Sequence, residues 1–191
     1  MEERGHTEWE RVVELVQTSF RYGVLTEEAT WQAVVLILKG GGDYHGIDLV
    51  EVVWKAVVVM INFRFTTYIT YHNPPHGFRT GCGTGTATLE VKLLQQVKSM
   101  RESVLHMIFL DLHKAYDNLD RSRYVGILEG YGVGPRALCL LCRYWEQIQM
   151  VAQVGGYYIV PFGRERGVTQ GNPLLPTIFN VVVDAVVRHW E

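Results

Sequence analysis

Residues 73–85, NPPHGFRTGCGTG, hold two prolines and four glycines. Proline has no amide hydrogen to donate, and glycine loses the most backbone entropy on ordering, so neither a helix nor a strand runs through this stretch. A fold built from this chain is therefore assembled from a segment before the loop and a segment after it. A second glycine cluster, GGGDYHG (40–46), reads as a turn. The two loops together predict a small N-terminal lobe and a larger C-terminal one.

Outside the loops the periodicity alternates. Trp9, Val12, Val13, Val16 and Phe20 recur at helical spacing and predict an amphipathic helix over 7–22. QAVVLILK (32–39) is a short β-branched run and predicts a strand. Helical spacing returns over 49–65 and again over 86–100. Val104–Leu110 is apolar except for His106 and reads as a buried strand that ends on Asp111. Helices are expected at about 121–129 and 135–147, and a hairpin around Gly155–Gly156 within 148–163. Pro173 and Pro176 open a last apolar helix, 177–190. Strands and helices mix without strict alternation, which makes the class α+β.

With 191 residues, 48% of them hydrophobic and 20% charged, the chain has ordinary globular composition. Its net charge of −2 argues against a general polyanion binder, although a local basic stripe fits within a neutral total. Three cysteines and a charged start, MEERGHTEWE, argue against a secreted disulfide scaffold. The longest apolar stretch, AVVVMINF (56–63), falls short of the roughly 20 residues a membrane span requires. The expectation is an intracellular protein, cytoplasmic or nuclear, with no membrane contact.

Several residues invite a chemical reading beside a structural one. Asp111, at the end of an apolar run, either holds a cation or accepts backbone N–H bonds in a turn. Asp117 and Asp120 precede a helix and read as capping residues. In RGVTQGNPLLP (166–176), glycine lets backbone approach a ligand before a helix N-terminus, or the stretch is an ordinary loop. Lys39, ahead of the glycine turn, either clamps phosphate or is solvated. CLLC (139–142) has the spacing of half a zinc knuckle but lacks a second pair and reads as helix. The five tryptophans sit mostly at apolar helix positions, so burial is expected of them.

Four segments in order, VVLILKGGGDYHGIDL (34–49), HGFRTGCGT (76–84), FLDLHKAYDNLDR (109–121) and RGVTQGNPLLPTIFN (166–180), resemble the successive motifs of the reverse transcriptase domain of non-LTR retroelements and group II intron-type elements. The likeness spans about residues 30–191. It implies a right-hand polymerase fold: a helical segment over 1–29, fingers over 30–100 and part of the palm over 101–191. The implied chemistry is RNA-directed DNA synthesis by two-metal nucleotidyl transfer. Mg²⁺ is the cofactor, an RNA template and DNA primer the partners, and deoxynucleoside triphosphates the substrates.

By the same resemblance Asp111 is the first metal-binding carboxylate and Leu112 lends a carbonyl. Tyr116 meets the sugar 2′ position, where its bulk clashes with a ribonucleotide hydroxyl. Lys39 meets the triphosphate, Gln170 and Gly171 meet the incoming nucleotide and template, and Phe78, Arg79 and Gly81 grip the template.

The pattern is broken in places. His45 stands where the family has arginine, Leu38 for proline, Cys82 for arginine, Asn172 for aspartate and Leu175 for serine. Each exchange is reachable by one C→T change on one DNA strand or the other, which suggests mutational decay of a retroelement copy. The family's Tyr/Phe-x-Asp-Asp hairpin is not found in these 191 residues. Asp184 falls inside the predicted last helix and does not replace it. The expectation is a chain that does not polymerise by itself. The alternatives are a non-catalytic RNA or RNA–DNA binding module, or an inert decayed fragment with an exposed apolar face.

Overall fold

The computed structural model describes residues 2–38, 44–73, 75–154, 157–163, 166–168 and 171–190. Helix α1 (Glu2–Tyr22) and the short α2 (Glu27–Thr30) lead into strand β1 (Trp31–Leu38). Strand β2 (Tyr44–Leu49) returns antiparallel to it, with Ala33 opposite Leu49 and Leu38 opposite Tyr44. Helix α3 (Val52–Tyr68), the proline–glycine loop and α4 (Thr84–Met100) come next. Beyond an irregular segment lie α5 (Arg121–Gly130), α6 (Pro135–Gln147), strands β3 (Gln149–Val154) and β4 (Tyr157–Tyr158), and α7 (Leu175–Trp190). The sheet order is β2-β1-β3-β4. Strand β3 joins parallel to β1, pairing Trp31 with Gln149 and Val34 with Ala152. The architecture is mixed helix and sheet, as the periodicity implies.

Helix α3 is apolar nearly all round, so Val52, Val59, Met60 and Phe63 stay exposed while its other face supplies much of the core. Val53, Trp54, Val57, Val58, Ile61 and Phe65 are all buried. Trp54 stacks on Tyr144 of α6, with ring centroids 3.9 Å apart and planes 19° from parallel. The Gln32 amide of β1 bonds the Tyr144 hydroxyl, which ties the sheet to the same point. Glu51 begins α3: its carboxylate accepts from the amides of Val53 at 2.7 Å and Trp54 at 3.1 Å. Glu51→Ala is expected to lower unfolding free energy by about 1 kcal/mol, the worth of a good N-cap, measured by urea denaturation. An unchanged midpoint would show that α3 is held by its packing alone.

Most expected helices and the first strand fall where the periodicity places them. The hairpin is present as β3 and β4, with Val154 opposite Tyr157; its two glycines lie outside the described residues. Two readings are corrected. Tyr44–Gly46, read as part of a turn, lie in β2 and pair with Leu36–Leu38. Residues 104–110 form no strand: the segment is irregular, and Ile108 and Phe109 are 86% and 85% exposed. An apolar run favours burial, but a strand also needs neighbours for its amides and carbonyls. None of the described strands pairs with this one. Helix α4 beside it in sequence likewise buries no residue. The tryptophans divide: Trp54 and Trp145 are buried, whereas Trp9, Trp31 and Trp190 are exposed. Helical spacing puts a residue on a face without ensuring that the face is covered. No helix among the described residues is long and apolar enough to cross a membrane.

Candidate functional site

Residues 113–118 turn back on themselves after Asp111 and Leu112, both exposed. The amides of Asp117 and Asn118 both donate to the Lys114 carbonyl at 3.0 Å, and Lys114 takes a positive φ of 45° to close the turn. The turn is fastened to the loop ahead of α7. The Val168 amide donates to the Tyr116 carbonyl at 3.0 Å, and the Gly167 amide to the Leu119 carbonyl at 2.8 Å. Arg121 completes the clasp, with Nε on the Gly167 carbonyl and a terminal nitrogen on the Trp145 carbonyl, each at 2.9 Å. Gly167 is required at this contact. Its φ is +75°, and a Cβ there would lie 2.6 Å from the Asp117 carbonyl and 2.7 Å from that of Tyr116.

Tyr116 is half-buried, its ring set edge-on against Phe179 of α7 at 5.2 Å. Gly171, with φ +109°, lies against the backbone of β2: a Cβ would sit 2.4 Å from the Asp48 carbonyl. Asn172 then accepts from the Leu174 amide at 2.9 Å and so leads into α7. This is an Asx turn, which an asparagine closes as an aspartate does, so the exchange at this position preserves the local structure. Asp120 caps α5 as expected, accepting from the Ser122 amide at 3.0 Å and its hydroxyl at 2.6 Å. These bonds hold the exposed Asp120 carboxyl below the usual carboxylate range, the Ser122 hydroxyl contributing most and burial opposing.

The proline–glycine loop is held by a polar ladder on α7 that periodicity does not reveal. Asn180, Asp184 and Arg188 recur every four residues and so share one face. Asn180 donates to the Gly77 carbonyl at 2.9 Å. The Asp184 carboxylate accepts from the amides of Asn73 at 2.8 Å and His72 at 3.1 Å, and from the Tyr131 hydroxyl. Arg188 sits 3.3 Å from that carboxylate and donates to the Thr70 carbonyl at 3.4 Å. Burial pushes the Asp184 carboxyl up, but Tyr131, the two amides and Arg188 outweigh it and hold the group below the usual carboxylate range. Burial, with the Asp184 bond, pushes the Tyr131 hydroxyl up to about 12. The sequence signal for Asp184 was an acid inside the apolar run NVVVDAVV.

Of the residues implicated by the motifs, Tyr116 and the glycine loop are brought together through Val168, and Gly171 closes on β2. Phe78, Arg79 and Gly81 lie in the loop tethered by α7. Phe78 is exposed at φ 55°, Gly81 has φ 77°, and Arg79 donates to the Pro75 carbonyl at 3.3 Å. Lys39 and Gln170 lie outside the described residues. Asp111 is exposed, and no group of three or more His, Cys, Asp or Glu among the described residues could hold a metal ion. One carboxylate does not satisfy a hard divalent cation, so the described residues alone do not fit a two-metal centre.

This arrangement carries the four motifs in one sheet-and-helix body, and the chain belongs to the reverse transcriptase (RNA-dependent DNA polymerase) family, whose model matches residues 37–191. The chain is 25% identical over 148 residues to the retrovirus-related Pol polyprotein from type-2 retrotransposable element R2DM of Drosophila melanogaster, covering 76% of this chain and 14% of that protein. It is 22% identical over 161 residues to the transposon TX1 uncharacterized 149 kDa protein of Xenopus laevis, covering 80% of this chain and 12% of that one. The chain thus spans less than a sixth of the length of these curated relatives.

Proposed function

We propose that the chain forms fingers and part of a palm for RNA-directed DNA synthesis, and that it does not polymerise by itself. The observation that carries this reading is the backbone clasp of Tyr116 and Leu119 on Gly167 and Val168. It joins the segment holding the metal-ligand candidate to the loop that holds the nucleotide-contact candidates.

In this reading Asp111 offers one carboxylate of the metal site. With carboxylates that the described residues do not supply, Asp111 would hold Mg²⁺, which would supply Lewis-acid activation for the primer hydroxyl and charge stabilisation for the pyrophosphate. Leu112 offers a carbonyl beside it. Tyr116, braced by Phe179, presents a ring edge where a 2′-hydroxyl would sit and so selects deoxynucleotides. Gly171 brings backbone close to the nucleotide, with Gln170 and Lys39 contacting nucleotide and triphosphate. The loop of Phe78, Arg79 and Gly81 holds the template, and the α7 ladder fixes where that loop lies.

Primer extension on an RNA template with Mg²⁺ and deoxynucleotides tests the inactivity. The 191-residue polypeptide is expected to add no nucleotide above background. Extension that Asp111→Asn abolishes would overturn the inactivity and establish Asp111 as a catalytic ligand.

A further inference from the structure

We infer that a second nucleic-acid surface, specific for single strands, lies on α1, α3 and the start of α6, apart from the motif loops. A cavity of about 510 Å³ opens between these elements, lined by Phe20, Arg64, Tyr68 and Arg136 among others. A smaller one of about 200 Å³ adjoins it, sharing Phe20 and Arg136 and adding Arg21, Tyr22 and Arg143. No described residue of the Asp111–Asp120 turn or of the loop ahead of α7 lines either cavity.

The larger cavity is mostly apolar, and the charge of the lining is one-sided. Four arginines and no carboxylate line the walls among the described residues, in a chain whose net charge is −2. None of the four belongs to a salt bridge among the described residues. Arg143 donates to the Gly23 carbonyl and Arg64 lies over the Phe20 ring at 5.5 Å, so among the described residues most of the guanidinium donors have no protein acceptor. The N-terminus of α6, opened by Gly134 with no side-chain cap and Pro135, adds a partial positive charge to the same wall. Such a site draws phosphates, because guanidinium matches phosphate oxygens in a bidentate geometry.

Aromatic residues decide which polyanion fits. Tyr22 and Tyr68 are 65% and 82% exposed at the rim. Exposed rings interleaved with arginines stack unpaired bases, whose faces a duplex hides and an acidic peptide lacks. The expected occupant is therefore a single-stranded nucleic acid, its backbone on the arginines and a base on a tyrosine.

Fluorescence anisotropy of the full chain with a labelled 12-nucleotide oligouridine, titrated between 50 and 200 mM KCl, tests this. Arg21→Ala with Arg136→Ala is expected to weaken binding about tenfold and flatten the log–log salt slope by about 1.4, two phosphate contacts' worth on a single strand. Both residues are exposed, so the melting temperature is expected to hold. Tyr22→Ala with Tyr68→Ala is expected to weaken binding about tenfold with the slope unchanged. Parental affinity in both double variants overturns the inference. So does tighter binding of a duplex of equal length, or binding of polyglutamate in place of RNA. An affinity that falls only in Arg79→Ala would also overturn it, while leaving the proposed template loop intact.

Discussion

Gly171→Ala is expected to destabilise the chain by about 4 kcal/mol. Two independent costs add. A side chain at φ +109° costs about 1–3 kcal/mol of backbone strain. The new Cβ also lies 2.4 Å from the Asp48 carbonyl, backbone of a paired strand that cannot rotate away, and forced overpacking costs a further 1–3 kcal/mol or so. Relief requires the loop ahead of α7 to lift off β2. That movement would also shift Val168, whose amide is bound to Tyr116. A urea midpoint measured beside Gly163→Ala, where a Cβ meets nothing within 4 Å, checks this. Equal midpoints for the two variants would show that the loop gives way freely.

Asp184→Ala is expected to cost about 3–5 kcal/mol, the usual loss when a buried charged group is removed from its partners. The side chain of Asp184 is fully buried, and its removal strands two amides, the Tyr131 hydroxyl and Arg188. For a chain of this length that corresponds to a fall in Tm of about 10 °C. The effect is also linked to pH. A carboxyl held below its unfolded value stabilises the fold above that value, and the stabilisation is lost as pH falls through the folded one. Tm of the parent is therefore expected to drop as pH falls below about 4, and Asp184→Asn to drop less steeply. Tyr131 acts at the other end: raised to about 12, it loses its contribution as pH rises from 10 through that value. Parallel acid limbs in parent and Asp184→Asn would overturn the role of the ladder.

Local features were legible because their causes are local. The buried stripe of α6, with Leu138, Leu141 and Trp145, follows from 3.6-residue spacing, and Asp120 before Arg121–Gly130 follows from what an N-cap needs. The chemical residues were legible in another way, through the order of four motifs, since Asp111 alone reads equally well as a turn residue. Val104–Leu110 misled because an apolar run states a preference for burial and names no partner. Asp184 was passed over as a mere helix residue, because its partners Asn73 and Tyr131 lie 111 and 53 positions away.

The sequence by itself determined most helices, the proline–glycine loop, the Asp120 cap of α5 and membership of the reverse transcriptase family. All of these rest on spacing within a few residues or on motifs read in line. Only the tertiary structure decided that β1 runs parallel to β3, that the Tyr116 turn closes on Gly167, and that one face of α7 holds the loop of Phe78 and Arg79. It also decided that four arginines scattered between positions 21 and 143 share one groove. The physical reason is that side-chain pattern sets conformation and the wish to be buried, whereas partners are chosen by packing and hydrogen-bond satisfaction summed over the whole chain.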